Sequence, residues 1–282
     1  MATVSYNKTL HQFYLNLNYL ISSKGDPRTH DLLFVKSPLP ILGILTLYLL
    51  FVLKWGPEYM KNKKPYEMKN VLMIYNLTQV LCNFYMFKET IAIWKEYSWI
   101  CQPIDTSNSE SSLTMIFYVH FYFLNKISDL LDTVFFVLRK KQSQISFLHV
   151  FHHTIMVVLS WIFVKYVPNG HGTFIGIVNT FVHVILYLYY FLAALGPSIQ
   201  KYLWWKKYIT MIQLIQFGMI VLHQLLIFLP GCNYPKWVTI LSLPNTIAFY
   251  YLFADFYKKS YTRKNSLKSK SKPDLSKITK KK

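Results

Sequence analysis

Seven long apolar segments, separated by short polar and basic stretches, dominate the pattern along the chain. At about 1.5 Å per residue, each is long enough to cross the roughly 30 Å hydrocarbon layer of a bilayer. Backbone exposed to lipid must satisfy its hydrogen bonds internally, so each segment is predicted to be a helix. The predicted fold class is an all-α polytopic membrane protein with seven transmembrane helices around a central tunnel that opens to the cytosol. The predicted spans are residues 37–53, 71–94, 112–138, 147–167, 173–195, 209–229 and 236–257.

The apolar segments divide the chain into three regions. Residues 1–36 are polar, and no apolar run precedes the first span, so we expect no cleaved signal peptide. Residues 37–257 form the predicted seven-helix domain. Residues 258–282 are rich in Lys and Ser, which predicts a disordered tail lying against anionic lipid headgroups.

The charge distribution predicts an orientation for these helices. The chain of 282 residues carries 31 Lys and Arg against 12 Asp and Glu, a formal charge of +19. A soluble nucleic-acid-binding protein would share the charge but not its confinement to the edges of apolar segments. The loops 54–70, 139–146 and 196–207, with the tail, hold 22 basic residues, and the opposite side holds 7. Basic loops stay in the cytosol, so we predict a lumenal or external amino terminus and a cytosolic carboxyl terminus.

Two cysteines and one glycosylation acceptor fall on the predicted lumenal side. Cys101 follows span two, and Cys232 lies in the turn between spans six and seven, while Cys82 lies within a span. An oxidising lumen permits a disulfide between the first two, but their spacing is equally compatible with two free thiols. Asn7 begins an Asn-Lys-Thr sequence on the same side, so it is a predicted glycosylation site.

Span three contains ionisable residues where lipid would be expected. Such a group costs about 2.5–3.5 kcal/mol at the centre of a membrane helix, so each needs a partner or a function. Lys126, Asp129 and Thr133 share one helical stripe, with Asp132 beside it. A structural ion pair is one explanation. However, one lysine and two aspartates leave a carboxylate that needs a further partner.

Span four supplies three histidines on one helical face. His149, His152 and His153 have the spacing i, i+3, i+4. Three imidazoles together at the start of a span indicate catalysis or metal binding rather than packing alone.

Spans five and six carry further polar residues at helical spacing. Measured from the basic ends, the polar groups of spans three to six lie about 3–18 Å deep. This predicts one cavity in the cytosolic half of the membrane with apolar walls beyond it, suited to an amphiphile. Packing or bonding between helices explains isolated amides and tyrosines equally well. The residues concerned are Asn179, His183, Tyr187, Tyr190, Thr210, Gln213 and Gln216.

Three classes of function remain open at this point. A di-iron desaturase or hydroxylase needs several histidine boxes, whereas this chain has one box plus His183, so we predict no metal. A proton-coupled transporter or a receptor would also have seven spans and buried ionisable groups. In the third class, neutral imidazoles act directly as base and nucleophile, with Tyr, Gln and Asn stabilising an oxyanion or enolate.

Four motifs resemble those of the very-long-chain fatty acid elongases and occur in that family's order. Asp129 replaces the family's usual Glu, which retracts the carboxylate by one methylene, and Leu186 replaces a usual Met. The family's patterns are K-x-x-E-x-x-D-T, the H-x-x-H-H box, H-x-x-M-Y-x-Y-Y and T-x-x-Q-x-x-Q. They correspond here to Lys126-Ile-Ser-Asp129-Leu-Leu-Asp132-Thr133, His149-Val-Phe-His152-His153, His183-Val-Ile-Leu-Tyr187-Leu-Tyr189-Tyr190 and Thr210 with Gln213 and Gln216.

The resemblance implies a 3-ketoacyl-CoA synthase of the endoplasmic reticulum membrane. Such an enzyme condenses a long-chain acyl-CoA with malonyl-CoA, releases CO2 and CoA, and needs no redox cofactor. Its expected partners are these two substrates, membrane lipid, the other enzymes of the elongation cycle and a second copy in a homo-oligomer, but no nucleic acid. The resemblance also implies a bridge between Cys101 and Cys232.

The resemblance assigns roles residue by residue. His152 is the expected acyl acceptor, with His183 close to it and His149 or His153 as base. Acylation of the enzyme and direct condensation both remain open. Asp132 would orient a histidine. The expected substrate-binding residues are Lys126, Asp129, Asp132, Thr133, Asn179, Tyr187, Tyr190, Thr210, Gln213 and Gln216. The cytosolic bases expected to meet the CoA phosphates are Arg139, Lys140, Lys141, Lys206 and Lys207.

Overall fold

The computed structural model describes residues 24–262, so the predicted glycosylation site at Asn7 and the tail beyond Thr262 lie outside the described residues. Within the described range the chain is helical and contains no strand, which confirms the all-α prediction. The main helices are α1 (Leu39–Met60), α2 (Lys69–Trp94), α3 (Glu110–Ser128), α4 (Leu130–Leu138), α5 (Phe147–Tyr166), α6 (Thr173–Ala194), α7 (Lys206–Leu225) and α8 (Lys236–Tyr257). Shorter helical segments are Pro27–Thr29, Gln142–Gln144, Pro197–Gln200, Leu226–Phe228 and Lys258–Thr262.

Five helices in the described part of the chain are long and apolar enough to cross a membrane. They comprise α1, α5, α6, α7 with its continuation to Phe228, and α8 with its continuation to Tyr261. The second and third predicted spans are more polar. Lys69, Lys88 and Glu89 lie in α2, and the residues of the third span are divided between α3 and α4. The count of seven spans therefore stays a prediction.

Two helices extend past their predicted ends. The first span was predicted to end at residue 53, but α1 continues to Met60 through a π-helical segment, Phe51–Trp55. Because this wider turn directly precedes Pro57, the helix passes a residue that has no N–H to donate. The predicted loop 54–70 accordingly shrinks to residues 61–68. At the other end, Lys258–Thr262 continues α8 as a π-helix, so these five residues are helical rather than part of a disordered tail.

The third predicted span is interrupted at Asp129. Ser128 Oγ donates to the Asn125 carbonyl at 2.7 Å, and the Asp132 amide bonds the Asp129 carbonyl three residues back, at 3.2 Å. Side-chain bonding of this kind competes with the regular i to i−4 pattern and bends helices. The break places Asp129 and Asp132 on the two sides of a turn, from which both side chains reach α6.

Six of the main helices form a ring. Around it the order of neighbours in contact is α2, α6, α7, α8, α5 and α3, and α3 returns to α2. The remaining long helix, α1, packs outside the ring against α5 and, through its carboxyl end, against α4. The ring surrounds a cavity lined by residues from all six helices.

The two ends of the ring differ in chemistry, and we name them by their residues. At the disulfide end, Cys101 and Cys232 are bridged, with 5.7 Å between their Cα atoms, which ties the loop after α2 to the turn before α8. At the basic end, the loop after α1 meets the loop after α4, because the Tyr66 amide donates to Leu138 O and Lys140 Nζ donates to Lys61 O.

A second set of contacts holds the disulfide end together. The Arg28 guanidinium lies 2.6 Å from Asp26 Oδ2 and donates to the Asp105 carbonyl at 2.9 Å. Burial alone would raise the pKa of Asp26, but the hydrogen bonds and charge of Arg28 outweigh it and hold that pKa below its ordinary value. The segment before α1 is thereby joined to the loop after α2.

We expect the disulfide to contribute to the stability of the folded chain. Substitution of Cys101→Ser or Cys232→Ser should each reduce the free energy of unfolding by about 2–5 kcal/mol, because the open chain gains conformational freedom when unfolded. Thermal unfolding of the detergent-solubilised protein, followed by tryptophan fluorescence, measures the change.

The double variant should have the same melting temperature as either single variant, because both substitutions remove the same bond. Cys82→Ser, which replaces a free cysteine, is the matched control and should have the melting temperature of the wild type. Additive losses in the double variant would contradict a shared bond.

Candidate active site

A buried ion pair lies at the break between α3 and α4. Lys126 Nζ is 2.8 Å from Asp129 Oδ2, and both side chains are almost completely buried. On α6, His183 Nδ1 lies 3.4 Å from the same ammonium group. An ammonium can only donate, so His183 Nδ1 is the acceptor, and a neutral His183 then carries its ring proton on Nε2.

Tyr187 bridges the two carboxylates. Its hydroxyl lies 2.9 Å from Asp129 Oδ1 and 2.8 Å from Asp132 Oδ2. One hydroxyl proton serves one acceptor fully, and the single charge of Lys126 offsets one carboxylate. The hydroxyl and the two carboxyl groups therefore form one hydrogen-bonded cluster.

The three histidines of α5 follow its N-cap. Ser146 Oγ accepts from the His149 amide at 3.2 Å, which fixes the first turn of the helix. His149 Nε2 lies 3.0 Å from Thr133 Oγ1, and that hydroxyl is 2.8 Å from the Tyr48 hydroxyl of α1. The rings of His149 and His153 are 4.2 Å apart, so the imidazoles form a contiguous group.

Of the four predicted catalytic histidines, His152 is the one that lines the cavity. Asn179 and Gln216 line it as well, and most of the other lining side chains are aliphatic or aromatic. The lining follows α5 from His152 to Phe163, eleven residues or about 16 Å along the helix axis. The polar cluster and the apolar cavity therefore meet at His152.

Tyr122 of α3 is a site residue that the motifs did not identify. Its hydroxyl donates to Asn179 Oδ1 at 2.9 Å, and its ring lies 4.8 Å from Lys126 Nζ. Because the Asn179 carbonyl is occupied, its NH2 group remains available to a ligand in the cavity. Tyr122 carries no distinctive sequence signal, since tyrosine is frequent throughout this chain.

Two residues of α2 form hydrogen bonds with Ser128, next to the break between α3 and α4. Gln79 Nε2 donates to Ser128 Oγ at 2.7 Å, and the Tyr75 hydroxyl is 3.3 Å from the Ser128 carbonyl. The Tyr75 ring also packs edge-on against Tyr187, with 6.0 Å between centroids. In the sequence, the feature that could have identified this pair is its spacing, because two polar side chains four residues apart share one face of a largely apolar helix.

Other predicted site residues lie farther from the cavity. Thr210 is buried near the start of α7 and Gln213 is half-buried, but neither lines the cavity, while the Tyr190 ring packs against Tyr187. The predicted phosphate-binding residues lie at the basic end and, within residues 24–262, make no hydrogen bond to the histidines. They are Arg139, Lys140 and Lys141 at the end of α4, and Lys206 and Lys207 at the start of α7.

The polar contacts of the histidines are with hydroxyl, ammonium and carboxyl groups. Within residues 24–262, no three side chains of His, Cys, Asp or Glu are grouped as ligands of one metal ion. The ammonium of Lys126 beside His183 would also repel a cation at that imidazole. His149 beside the Thr133 hydroxyl and His183 beside the Asp129 carboxylate are arranged for proton transfer.

Comparisons with known proteins agree with the four motifs. Residues 33–269 match the GNS1/SUR4 family. The chain is 46% identical over 242 residues to very long chain fatty acid elongase 4 of Homo sapiens, covering 85% of this chain and 76% of that protein. It is 41% identical over 259 residues to very long chain fatty acid elongase 7 of Drosophila melanogaster, with 91% and 79% covered. For very long chain fatty acid elongase 1 of Mus musculus, the identity is 42% over 254 residues, with 88% and 91% covered. Since the match spans nearly the whole described chain, this protein belongs to the GNS1/SUR4 family, the family to which its sequence motifs pointed.

Proposed function

We propose that this protein is a very-long-chain fatty acid elongase that condenses long-chain acyl-CoA with malonyl-CoA to 3-ketoacyl-CoA. The observation that carries the proposal is the position of His152, where a buried set of proton-transferring groups meets an apolar cavity. Membership of the family, and relatives named as elongases, support the same activity. The acyl chain would occupy the cavity, with its thioester beside His152.

The first step would form an acyl-enzyme. The unprotonated ring nitrogen of His152 attacks the thioester carbon, the carbon–sulfur bond breaks, and the departing thiolate takes a proton to leave as CoA. The acylated ring loses its own proton to His149 or His153. His149 can pass a proton on through Thr133 and Tyr48, which form one hydrogen-bonded chain with it. The NH2 group of Asn179 would stabilise the oxyanion.

The second step would consume malonyl-CoA. Loss of CO2 leaves an enolate of acetyl-CoA, whose carbon attacks the acyl carbon and displaces the imidazole of His152. That nitrogen leaves with the proton stored on its neighbours, so the enzyme is regenerated. Overall, acyl-CoA, malonyl-CoA and one proton give 3-ketoacyl-CoA, CoA and CO2. His183 Nε2–H is suited to donate to the enolate oxygen because Lys126 occupies Nδ1.

Membrane topology belongs to the same proposal. If α2 and the α3–α4 pair cross with the five more apolar helices, the chain crosses seven times, and Gln79, Asn83, Lys126 and Asp129 of these less apolar segments are buried within the protein. The protein would lie in the endoplasmic reticulum membrane, with its basic end facing the cytosol. There, the CoA phosphates could contact Arg139, Lys140, Lys141, Lys206 and Lys207. The disulfide end would face the oxidising lumen.

The two alternatives from the sequence fit less well. The family match agrees with elongation rather than with a di-iron desaturase or a transporter. The lining of the cavity, most of which is aliphatic or aromatic, also suits a bound hydrocarbon chain.

The acyl-enzyme predicts release of CoA from acyl-CoA alone, without malonyl-CoA. Substitution of His152→Ala should abolish that release and lower the condensation rate by at least about a hundredfold, because the covalent route is lost. Single-turnover assays with a thiol-reactive dye measure the CoA, and mass spectrometry locates the acyl group. His30→Ala, a surface substitution at the disulfide end, is the control. Condensation at the wild-type rate in His152→Ala would show that His152 is not the acyl acceptor.

Tyr187→Phe should separate the bridged carboxylates without altering the helix. Hydrogen bonds to charged groups contribute about 1.5–3 kcal/mol, so kcat should fall roughly tenfold to a hundredfold, with a change in its pH profile. Tyr189→Phe is the matched control on the same helix, since Tyr189 packs against Trp205 instead. Equal rates in the two variants would exclude a role for the bridge.

The orientation can be tested with engineered glycosylation acceptors. An Asn-x-Thr acceptor in a short flexible insert after Gln102 should be glycosylated in microsomes, because that loop is predicted to be lumenal. The same insert after Lys63, at the basic end, should remain unmodified. A gel shift read before and after glycosidase treatment reports both, and the reverse pattern would invert the proposed topology.

A further inference from the structure

Gly172, the N-cap of α6, and Gly176, within α6, line the part of the cavity nearest the disulfide end, and their surroundings differ. A Cβ atom added at Gly172 would overlap the Tyr234 hydroxyl and come within 2.6 Å of Phe163 Cε1. A Cβ added at Gly176 would meet no atom within 4 Å. Gly172 is therefore fixed by close packing, whereas the space beside Gly176 belongs to the cavity.

Gly176 points along the same helical face as the reactive groups. Asn179, Thr180 and His183 follow it at i+3, i+4 and i+7, and the first two also line the cavity. A side chain at position 176 would therefore project into the cavity. Seven residues separate Gly176 from His183, which is about 10 Å along the helix axis.

We propose that Gly176 determines the longest acyl chain that the enzyme extends, by leaving open the last part of the cavity. This inference rests on the proposed function, in which the cavity holds the acyl chain. Beyond Gly176 the lining continues for about one helical turn to Gly172, a further 5 Å or so. An extended chain advances roughly 1.2 Å per bond, so this part holds about four carbons.

Position 176 can be varied without disturbing the fold. It lies inside a helix, where alanine and leucine are more favourable than glycine. No packed neighbour has to move, in contrast to Gly172. A change in the products of such variants would therefore reflect the shape of the cavity rather than unfolding.

The experiment compares Gly176→Ala, Gly176→Val and Gly176→Leu with the wild type. Each purified enzyme is given acyl-CoAs of graded length with labelled malonyl-CoA, and kcat/KM is measured for every length. The longest substrate extended efficiently should shorten by about two carbons for Val and about four for Leu, with Ala between Val and the wild type. Shorter substrates, which end before Gly176, should be extended at rates within about threefold of the wild type.

Two other glycines provide matched controls. Gly218 on α7 and Gly43 on α1 also have no atom within 4 Å of an added Cβ, but neither lines the cavity. Gly218→Leu and Gly43→Leu should keep the wild-type length profile, and a melting curve of every variant verifies folding.

The outcomes separate this inference from the proposed function. An unchanged length profile in Gly176→Leu, with condensation intact, would overturn the role of Gly176 and leave the elongase assignment standing. A uniform loss at all lengths in a folded Gly176→Leu would overturn it as well. If Gly176→Leu does not fold, the length profiles of Gly176→Ala and Gly176→Val test the role of Gly176 in the same way. A wild-type protein that condenses no acyl-CoA of any length would instead refute the proposed function.

Discussion

The contact between Lys126 and Asp129 constrains much of the interior of this protein. Both charges are almost fully buried inside a helical bundle, so each must be compensated by groups close to it. The ammonium reaches His183, and the carboxylate reaches Tyr187, which brings α6 against the break between α3 and α4. The second carboxylate, on Asp132, uses the same hydroxyl, so one tyrosine joins both halves of the broken span.

This constraint separates the interior into two regions. Charged and hydroxyl-bearing groups are bonded to each other around the break, where they can exchange protons over short distances. The cavity toward the disulfide end is lined mainly by aliphatic and aromatic side chains, together with hydroxyl groups such as those of Thr90 and Thr173. An amphiphilic substrate matches this division, because its reactive head and its hydrocarbon tail need different surroundings. His152 is at the junction, so it can contact the head while the tail remains in an apolar environment.

The polar residues also explain why the second and third predicted spans are less apolar than the five helices that are long and apolar enough to cross a membrane. Gln79 and Tyr75 of α2 bond Ser128 of α3, and Asn83 Nδ2 bonds the Gln79 carbonyl within α2, so these three polar side chains bond protein groups. A hydropathy pattern averages over all faces of a helix and reports such a segment as weakly apolar. In the ring, Gln79 is instead buried, and its amide bonds Ser128 of the neighbouring α3.

The sequence by itself determined the all-helical class, the approximate bounds of the helices, the histidine box and the family, because helical periodicity and motif spacing are local properties. It did not determine the break at Asp129, which depends on the Ser128 side chain bonding the backbone, or the passage of α1 through Pro57, which follows a widened backbone turn. Only the tertiary structure selected Tyr122, Tyr75 and Gln79 as contributors to the site and His152 as the histidine that meets the cavity. Those assignments depend on which faces of distant helices meet, and that is a property of packing between segments rather than of any one segment.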